Sequence, residues 1–520
     1  MWMSGIDFDE MKVHQNEPRM RLGATGFLSV PSVGMRLAPE VLVLELFRDT
    51  FFANSTSEQV QTRELQPDLR NQDNVLVFNP GERAIITSLR GRRKQTKRSK
   101  EDPFYAPAYP SLARESWLSK KRERVIARLL FEGAFAQHFW ARGEETETGK
   151  QAQHDAVNVM IDAFVGTRTP DRSVDILAAA LGLGLPGVDT DVARGQLMES
   201  TSYSSTVFQT DRDELADRLA VDFLSICSLE KEIPRLLWTR VLMTYLRFAL
   251  PIWLLAQMRI TCLVHRWIAD ALDGAEIPNE SEIIHALAIR NHKLISPTLT
   301  PTREVFSRIS EYIRCRVELN VALYCLEQLQ PTALNGRVIT TRKMGSGSIK
   351  LVDLLDLARR TSGALKADLA YGGVPNSRVF LSRASERFRA WRDPRNKGQG
   401  KNIDEFLRVL YRAEHGDEAG GHLLVREGRG DGAGFRVFPG QLLLQTLTFL
   451  AAKAKQTAHG NVPGGGKLVL RDIEEHFAQY GIDFSLAADA RPLLIEELQG
   501  LGLLNGSPDA GSSVAVACPF

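Results

Sequence analysis

Apolar residues recur at the spacing of an α-helix through most of this chain. Between residues 119 and 139, Val125, Ile126, Leu129 and Leu130 are placed to share one face of a helix. In the middle of the chain, prolines punctuate the pattern where one helix is expected to end and the next to begin. Helices are predicted at 41–47, 119–139, 151–166, 173–182, 213–227, 236–250, 252–272, 280–289, 303–329, 350–365, 401–411 and 441–457. The polar and small residues of 186–209 predict a loop.

Few segments follow the alternating pattern of a strand. Residues 74–78 predict a short strand that ends in a turn. Residues 332–348, which contain two glycine-rich turns, predict a linker. Residues 415–439 are rich in Gly, Asp and Arg and predict a mobile loop or a hairpin.

The last part of the chain mixes short helical and strand patterns in a specific order. A helix at 441–457 is followed by a strand at 467–470, helices at 471–480 and within 487–499, and a terminal β-hairpin. This order resembles the winged-helix superfamily in layout. An αα-hairpin closed by a β-hairpin is the alternative. Residues 461–520 hold three basic and eight acidic residues, and this charge favours docking onto protein over contact with DNA phosphates.

These patterns predict a mainly α, multi-domain helical protein, because 520 residues are too many for one core. We expect a small mixed or irregular N-terminal region with a basic loop at 1–110 and a helical core domain at 111–331. A small helical unit is expected at 349–413 and a C-terminal winged helix at 441–520.

Composition and cysteine usage favour a cytoplasmic location. The five cysteines are odd in number and contain no CxxC pair, so neither a disulfide framework nor a zinc site is expected. The N-terminus has no signal-peptide pattern. The apolar stretch 236–268 is interrupted by Arg247, and we therefore interpret it as a helix buried in a helical core, without a membrane partner.

The strongest charge feature is the segment 83–128, which holds fourteen Lys or Arg and four acidic residues. Such density attracts a phosphate backbone, and the aromatic residues between its two clusters suit stacking on unpaired bases. A solvated surface and an acidic protein partner are the alternatives. The candidate nucleic-acid contacts are Arg90, Arg92, Arg93, Lys94, Lys97, Arg98, Lys100, Lys120, Lys121, Arg122 and Arg124.

A third basic patch lies between residues 378 and 401. Arg383, Arg387 and Arg392 are placed to share one side of a helix. Arginine suits the clamping of phosphates. Pairing with nearby carboxylates is the alternative.

No catalytic motif is complete in this chain. The segment closest to a P-loop, at 461–468, lacks both the first glycine and the final Ser or Thr. Gly182-Leu183-Gly184 lacks the third glycine of a dinucleotide fingerprint, and no HExxH or GxSxG motif is present. The expectation is a protein without catalytic residues, bound metal or cofactor.

The leading hypothesis is a non-enzymatic, DNA-associated adaptor subunit of a bacterial multi-protein DNA-processing or anti-phage defence system. Residues 213–255 resemble segments of uncharacterised proteins from such defence clusters. In this hypothesis the basic segment 83–128 binds DNA and the acidic C-terminal unit binds partner subunits. The alternatives are a metal-dependent nuclease subunit with scattered active-site residues and a scaffold that binds only proteins.

Overall fold

The structure of the protein is a computed structural model. It describes residues 39–52, 110, 129–141, 147–166, 188–202, 214–288, 294–295, 300–329, 338–340, 348–371, 373–392, 401–412, 420–428, 434–459, 467–484, 490–505 and 513–520. Most of these residues lie in α-helices, which confirms the prediction of a mainly α protein.

The helices are numbered here in chain order. They are α1 Pro39–Phe51, α2 Ala136–Ala141, α3 Glu147–Val165, α4 Thr190–Ser202, α5 Glu214–Leu229, α6 Arg235–Leu272, α7 Glu280–Leu287, α8 Thr302–Leu329, α9 Leu351–Tyr371, α10 Ser377–Arg392, α11 Lys401–Leu407, α12 Gln441–His459, α13 Leu470–Gln479 and α14 Ala490–Gly500. A π-helical turn, Leu130–Phe135, leads into α2, and a 3-10 turn, Arg408–Leu410, follows α11.

Short strands complete the described architecture. The strands are β1 Thr300–Pro301, β2 Val338–Thr340, β3 Ser348–Lys350, β4 Leu424–Glu427, β5 Gly434–Val437, β6 Leu504–Asn505 and β7 Ala515–Val516. They form an antiparallel sheet of order β1-β5-β4, a parallel pair β2-β3 and an antiparallel pair β6-β7. The hairpin alternative for 415–439 is therefore correct, because β4 and β5 pair with Arg426 opposite Phe435.

Helix α6 is the centre of the packing. Its side chains Trp238, Tyr245 and Trp253 are all fully buried. Helices α1, α5, α8, α9 and α12 pack against it, and one continuous cluster of buried apolar residues joins these elements. Helix α1 belongs to the segment 1–110, for which a separate N-terminal region is expected, and it nevertheless packs directly on α6.

Aromatic rings connect the N-terminal helices to this core. Phe164 of α3 meets Phe47 of α1 with ring centroids 5.5 Å apart and Phe223 of α5 at 6.2 Å. Phe135 of the π-helical turn also meets Phe223, at 5.6 Å and nearly edge-on. Such T-shaped pairs add favourable quadrupole contacts to the burial of apolar area.

Helix α6 is long and apolar enough, by length and composition, to cross a membrane. Of its most apolar window, 89% is buried inside the protein, which agrees with the interpretation of 236–268 as a core helix. Arg247 is buried within it and donates hydrogen bonds from Nε to the carbonyl of Val409 and from Nη2 to the carbonyl of Tyr411. These bonds compensate for moving the guanidinium group out of water.

Three sequence predictions are wrong. The stretch predicted as two helices, 236–250 and 252–272, is the single helix α6, because Pro251 is accommodated inside it. A proline there removes one hydrogen bond to the carbonyl of Arg247, and burial of the surrounding apolar residues offsets this loss. The predicted linker 332–348 contains β2 and the first residue of β3.

The third wrong prediction is the loop at 186–209, which contains α4. The side chain of Asp189 accepts hydrogen bonds from the backbone N–H groups of Asp191 and Val192 and so caps the start of this helix. Ala193 and Leu197 are buried and anchor α4 to the core. Its polar composition concealed the narrow apolar face.

The helices and the hairpin of the C-terminal segment occur in the predicted order, whereas the predicted strand 467–470 is reduced to a bridge at Val469. Helices α12, α13 and α14 are followed by the β6-β7 hairpin, and Val469, just before α13, forms a bridge with Ala515 of β7. The backbone N–H of Leu470 donates to the carbonyl of Val514 at 3.0 Å, and that of Val516 donates to the carbonyl of Leu468 at 2.8 Å. The assignment of this unit to the winged-helix superfamily stays a prediction.

Candidate functional site

Helix α10 carries the arginine patch that the sequence singled out. Its first turn is fixed by Asn376, whose side chain accepts a hydrogen bond from the backbone N–H of Val379 at 2.9 Å. Phe380 and Leu381 are buried, and the helix packs against α8 and α9. The inner face of α10 is therefore held by the core.

Helix α10 is strongly basic in composition. The helix contains five arginines and one glutamate. Arg378 forms an ion pair with Asp270 of α6, whereas Arg383 is exposed and forms no ion pair with any carboxylate in the described ranges. Arg387 and Arg392 belong to the same helix, but their side chains lie outside the described residues, as does Lys401 beyond its backbone.

The candidates in the basic segment 83–128 cannot be placed. Arg90, Arg92, Arg93, Lys94, Lys97, Arg98, Lys100, Lys120, Lys121, Arg122 and Arg124 all lie outside the described residues. Their role in nucleic-acid binding stays a prediction from charge density.

The C-terminal unit presents a different surface. Arg471 of α13 pairs with Glu475 at 2.7 Å, and Arg491 of α14 pairs with Glu474. On α14, Glu496 and Gln499 are exposed. Because these arginines are paired with carboxylates, they offer little positive charge to a phosphate backbone.

The inner face of α13 holds a buried polar network that the sequence did not reveal. Asp222 of α5 receives a hydrogen bond from the hydroxyl of Tyr480 at 2.6 Å and lies 3.1 Å from Nε2 of His476. Arg218 lies 3.4 Å from the other oxygen of the same carboxylate. The hydroxyl of Tyr480 also lies 3.3 Å from that of Tyr245, which donates to a backbone carbonyl of α5.

This network determines the ionisation of Asp222. Burial by itself raises the pKa of the carboxyl group, but His476, Arg218 and Tyr480 together outweigh it, so the pKa is lowered from its ordinary value. Burial and the neighbouring carboxylate raise the pKa of Tyr480 and Tyr245, so both phenols remain protonated as donors. The arrangement joins α13 to the helical core. It contains no exposed group that a substrate could reach, because Asp222, His476, Tyr245 and Tyr480 are all buried.

A second cluster lies between α6 and α8 and contains reactive side chains. Ligand atoms of Cys262, Glu311 and Cys315 all lie within 4.8 Å of one another. His265, one helical turn beyond Cys262, lies within hydrogen-bonding reach of Cys315. Its Nε2 atom lies 2.9 Å from an oxygen of Glu318 but is not aligned with it as a hydrogen-bond donor.

The two thiols of this cluster differ from the other buried cysteines. The Cys262 thiol donates to Cys315, and this bond, with the nearby His265, lowers the pKa of Cys315 despite burial; the same bond, with burial, raises the pKa of Cys262. Burial lowers the pKa of His265, but Cys315 and Glu318 outweigh it and raise the pKa to about 9. By contrast, burial alone raises the pKa of Cys325 to about 12, as expected of a cysteine that only fills space.

The sequence could not reveal this cluster. Cys262 and Cys315 lie on different helices, and neither belongs to a spaced pair of the CxxC type. The only local signals are the Cys262/His265 spacing on α6 and the Glu311/Cys315/Glu318 spacing on α8, each of which places side chains on one helical face. Packing in the core does not by itself explain the position of these thiols beside an imidazole and two carboxylates.

Comparison of the chain with protein-family models, with curated proteins and with solved structures finds no match.

Proposed function

We propose that this protein is a non-enzymatic, DNA-associated adaptor subunit of a bacterial multi-protein DNA-processing or anti-phage defence system. The observation that carries the proposal is the charge of α10, where five arginines and one glutamate lie on a helix whose inner face is fixed by Phe380 and Leu381. The segment 83–128 is a second strongly basic part of the sequence.

The chemistry of these charges suits contact with a phosphate backbone. Arginine presents a planar set of donors that matches phosphate oxygens, and a helix anchored in a core fixes where those donors project. Arg383 is exposed and free of ion pairs within the described ranges, so its charge is available to an external anion. The described part of the chain shows no base-reading arrangement, and the proposal is therefore one of backbone binding.

The acidic C-terminal unit supplies the second half of the proposal. Its arginines pair with its own carboxylates, and Glu496 and Gln499 face solvent on α14. This surface repels nucleic acid and suits a basic or polar protein surface. We propose that partner subunits dock there while DNA lies along the basic surfaces of the same chain.

Fluorescence anisotropy with the full chain and a labelled DNA duplex tests the first half. We expect affinity to fall steeply as salt rises, because each phosphate contact releases counterions. Replacing Arg92, Arg93, Lys97 and Arg98 by glutamate together should weaken binding across unrelated DNA sequences. The matched control is Arg471→Glu, which makes the same kind of charge change on the exposed surface of the acidic unit. Affinity that ignores salt, or that survives the fourfold change, contradicts the proposal and leaves a protein-only scaffold.

Incubation of DNA with the protein and Mg²⁺ or Mn²⁺ tests whether the protein lacks nuclease activity. We expect intact DNA with either ion. Cleavage that is lost on adding a chelator would establish the nuclease alternative.

A further inference from the structure

We propose that Cys262, His265, Glu311 and Cys315 bind one zinc ion between helices α6 and α8. Each helix contributes two ligands. Cys262 and His265 are three residues apart on α6, and Glu311 and Cys315 are four residues apart on α8, so each pair shares a helical face. The packing of α6 on α8 brings the two pairs together.

The distances suit a small ion. Ligand atoms of Cys262, Glu311 and Cys315 already lie within 4.8 Å of one another. In a tetrahedral zinc site with bonds of about 2.0–2.3 Å, neighbouring ligand atoms are separated by roughly 3.5 Å. We infer that rotation of these side chains closes the remaining difference.

The donor types select zinc over the common hard cations. Two sulfur atoms and an imidazole are ligands for borderline and soft metals, whereas Mg²⁺ and Ca²⁺ require oxygen ligands. The carboxylate of Glu311 is also a known zinc ligand type. Metal binding would release the thiol protons, so that two thiolates and one carboxylate balance the charge of the divalent ion.

Glu318 completes the site from outside the ligand set. It lies 2.9 Å from one nitrogen of His265, and that buried nitrogen has no aligned hydrogen-bond partner in the described structure. A carboxylate that receives one ring N–H of a histidine orients the other nitrogen toward a metal. Glu318 is close enough to accept that N–H once the ring turns, and we therefore assign it as the positioning residue for His265.

The location indicates a structural ion. Cys315 and Glu318 are 3% and 5% exposed, whereas Glu311 lies at the surface and gives the ion a route of entry. Four protein ligands leave no open coordination position, which is the arrangement of a structural zinc. The ion joins α6, the central helix, to α8 and adds to the contact of His265 with Glu318 between the same helices.

Metal analysis and cobalt substitution of the full chain test the proposal. The reduced protein, purified and then equilibrated with zinc alone, should hold about one zinc per chain. Cobalt in its place should give an intense thiolate-to-metal charge-transfer band and the visible spectrum of a tetrahedral site. Cys315→Ala should lose both signals. Cys325→Ala, which removes another buried thiol from the same helix, should retain both.

Two further variants keep the test independent of folding. Glu311→Gln changes an exposed side chain and should weaken zinc binding while leaving the chain folded. Glu318→Gln should weaken it by about 10–100-fold, the usual effect of losing a carboxylate that orients a ligand histidine. A chelator should lower the melting temperature of the unaltered protein and leave that of Cys315→Ala unchanged.

Three results would overturn the proposal. The first is a reduced, folded protein that holds no stoichiometric zinc and gives no charge-transfer band with cobalt. The second is cobalt spectra that are identical in the unaltered protein and Cys315→Ala. The third is a Cys262–Cys315 disulfide, identified by peptide mass spectrometry, in protein that takes up no metal after reduction.

Discussion

The hydroxyl of Tyr480 donates a hydrogen bond to Oδ2 of Asp222 at 2.6 Å, across a sequence separation of 258 residues. Both side chains are buried, and His476 approaches the same oxygen. The contact joins the C-terminal unit to the N-terminal half of the helical core. A carboxylate in this position is stable only because donors on both elements surround it.

Asp222→Asn should loosen α13. Asparagine keeps the size of the side chain but removes the charge that Tyr480, His476 and Arg218 surround. We expect the free energy of opening at the α13 amides to fall by about 3 kcal/mol, as when one partner of a buried ion pair is lost. Hydrogen exchange followed by mass spectrometry measures this free energy of opening. The control is Asp191→Asn on α4, whose side chain is 89% exposed. Equal exchange of α13 in both variants would contradict this role for Asp222.

The same carboxylate should contribute to acid sensitivity. Its pKa in the folded protein is lowered from the ordinary value, although burial alone would raise it, because His476, Arg218 and Tyr480 favour the charged form. A lowered folded pKa gives stability that is present above the unfolded pKa of about 3.9 and is lost as pH falls through the folded pKa. Melting temperatures between about pH 3 and pH 7 should therefore fall more steeply at the acid end for the unaltered protein than for Asp222→Asn. Parallel curves would show that Asp222 does not contribute.

Gly440→Ala should destabilise the protein through a backbone clash. A β-carbon at this position would overlap the carbonyl oxygen of Gly420, which itself has a positive φ of 62°. Neither backbone can give way without breaking the hydrogen bond from Gly440 N–H to the carbonyl of His422. We expect the free energy of unfolding to fall by about 1–3 kcal/mol or more, which a lower melting temperature would show.

The matched control for that clash is Gly195→Ala in α4. No atom lies within 4 Å of a β-carbon built there. Alanine in a helix interior should stabilise the fold by up to about 1 kcal/mol. A melting temperature that Gly440→Ala leaves unchanged or raises, as Gly195→Ala should, would contradict the described approach of Gly440 to Gly420.

Arg383→Glu should weaken DNA binding and lower its salt dependence. If Arg383 contacts one phosphate, the slope of log affinity against log salt should decrease in magnitude by about 1. Arg360→Glu on α9 is the control, because Arg360 is 76% exposed but pairs with Asp356 of its own helix. An equal loss in both variants would indicate a non-specific effect of net charge.

The protein should remain in the supernatant when cells are lysed without detergent and membranes are sedimented. The reason is that 89% of the most apolar window of α6 is already covered by other elements. Recovery in the membrane pellet that resists carbonate washing would show that α6 leaves its core position for a bilayer.

The sequence predicted the helices best where apolar residues are dense and regular. Helices α8, α12 and α13 begin and end within a few residues of their predicted bounds because their buried faces follow the 3.6-residue repeat. Prediction failed where tertiary packing outweighs local preference. Pro251 predicted a break that burial overrides, and α4 has too few apolar residues for its periodicity to be visible.

The candidate sites were harder to predict than the helices, for a related reason. Charge density identifies Arg383 from the sequence because the other arginines lie near it along the same helix. The zinc ligands proposed for α6 and α8, and the Asp222–Tyr480 contact, join residues from distant parts of the chain. Single-sequence reasoning has no rule that brings Cys262 to Cys315, since that pairing exists only after α6 and α8 have packed.

The central position of α6 has a consequence for the synthesis of the protein on the ribosome. The helix leaves the ribosome well before α8, α9 and α12, which later cover it. At synthesis rates of about 5–20 residues per second, the interval from the end of α6 to the end of α12 lasts roughly 10–40 s. During that time a nascent segment as apolar as a membrane anchor lacks the cover that α8, α9 and α12 provide, and only α1 and α5 of its main packing partners have been synthesised. Its fate in the cell then depends on factors that shield emerging chains, and on their discrimination between this helix and a true export signal.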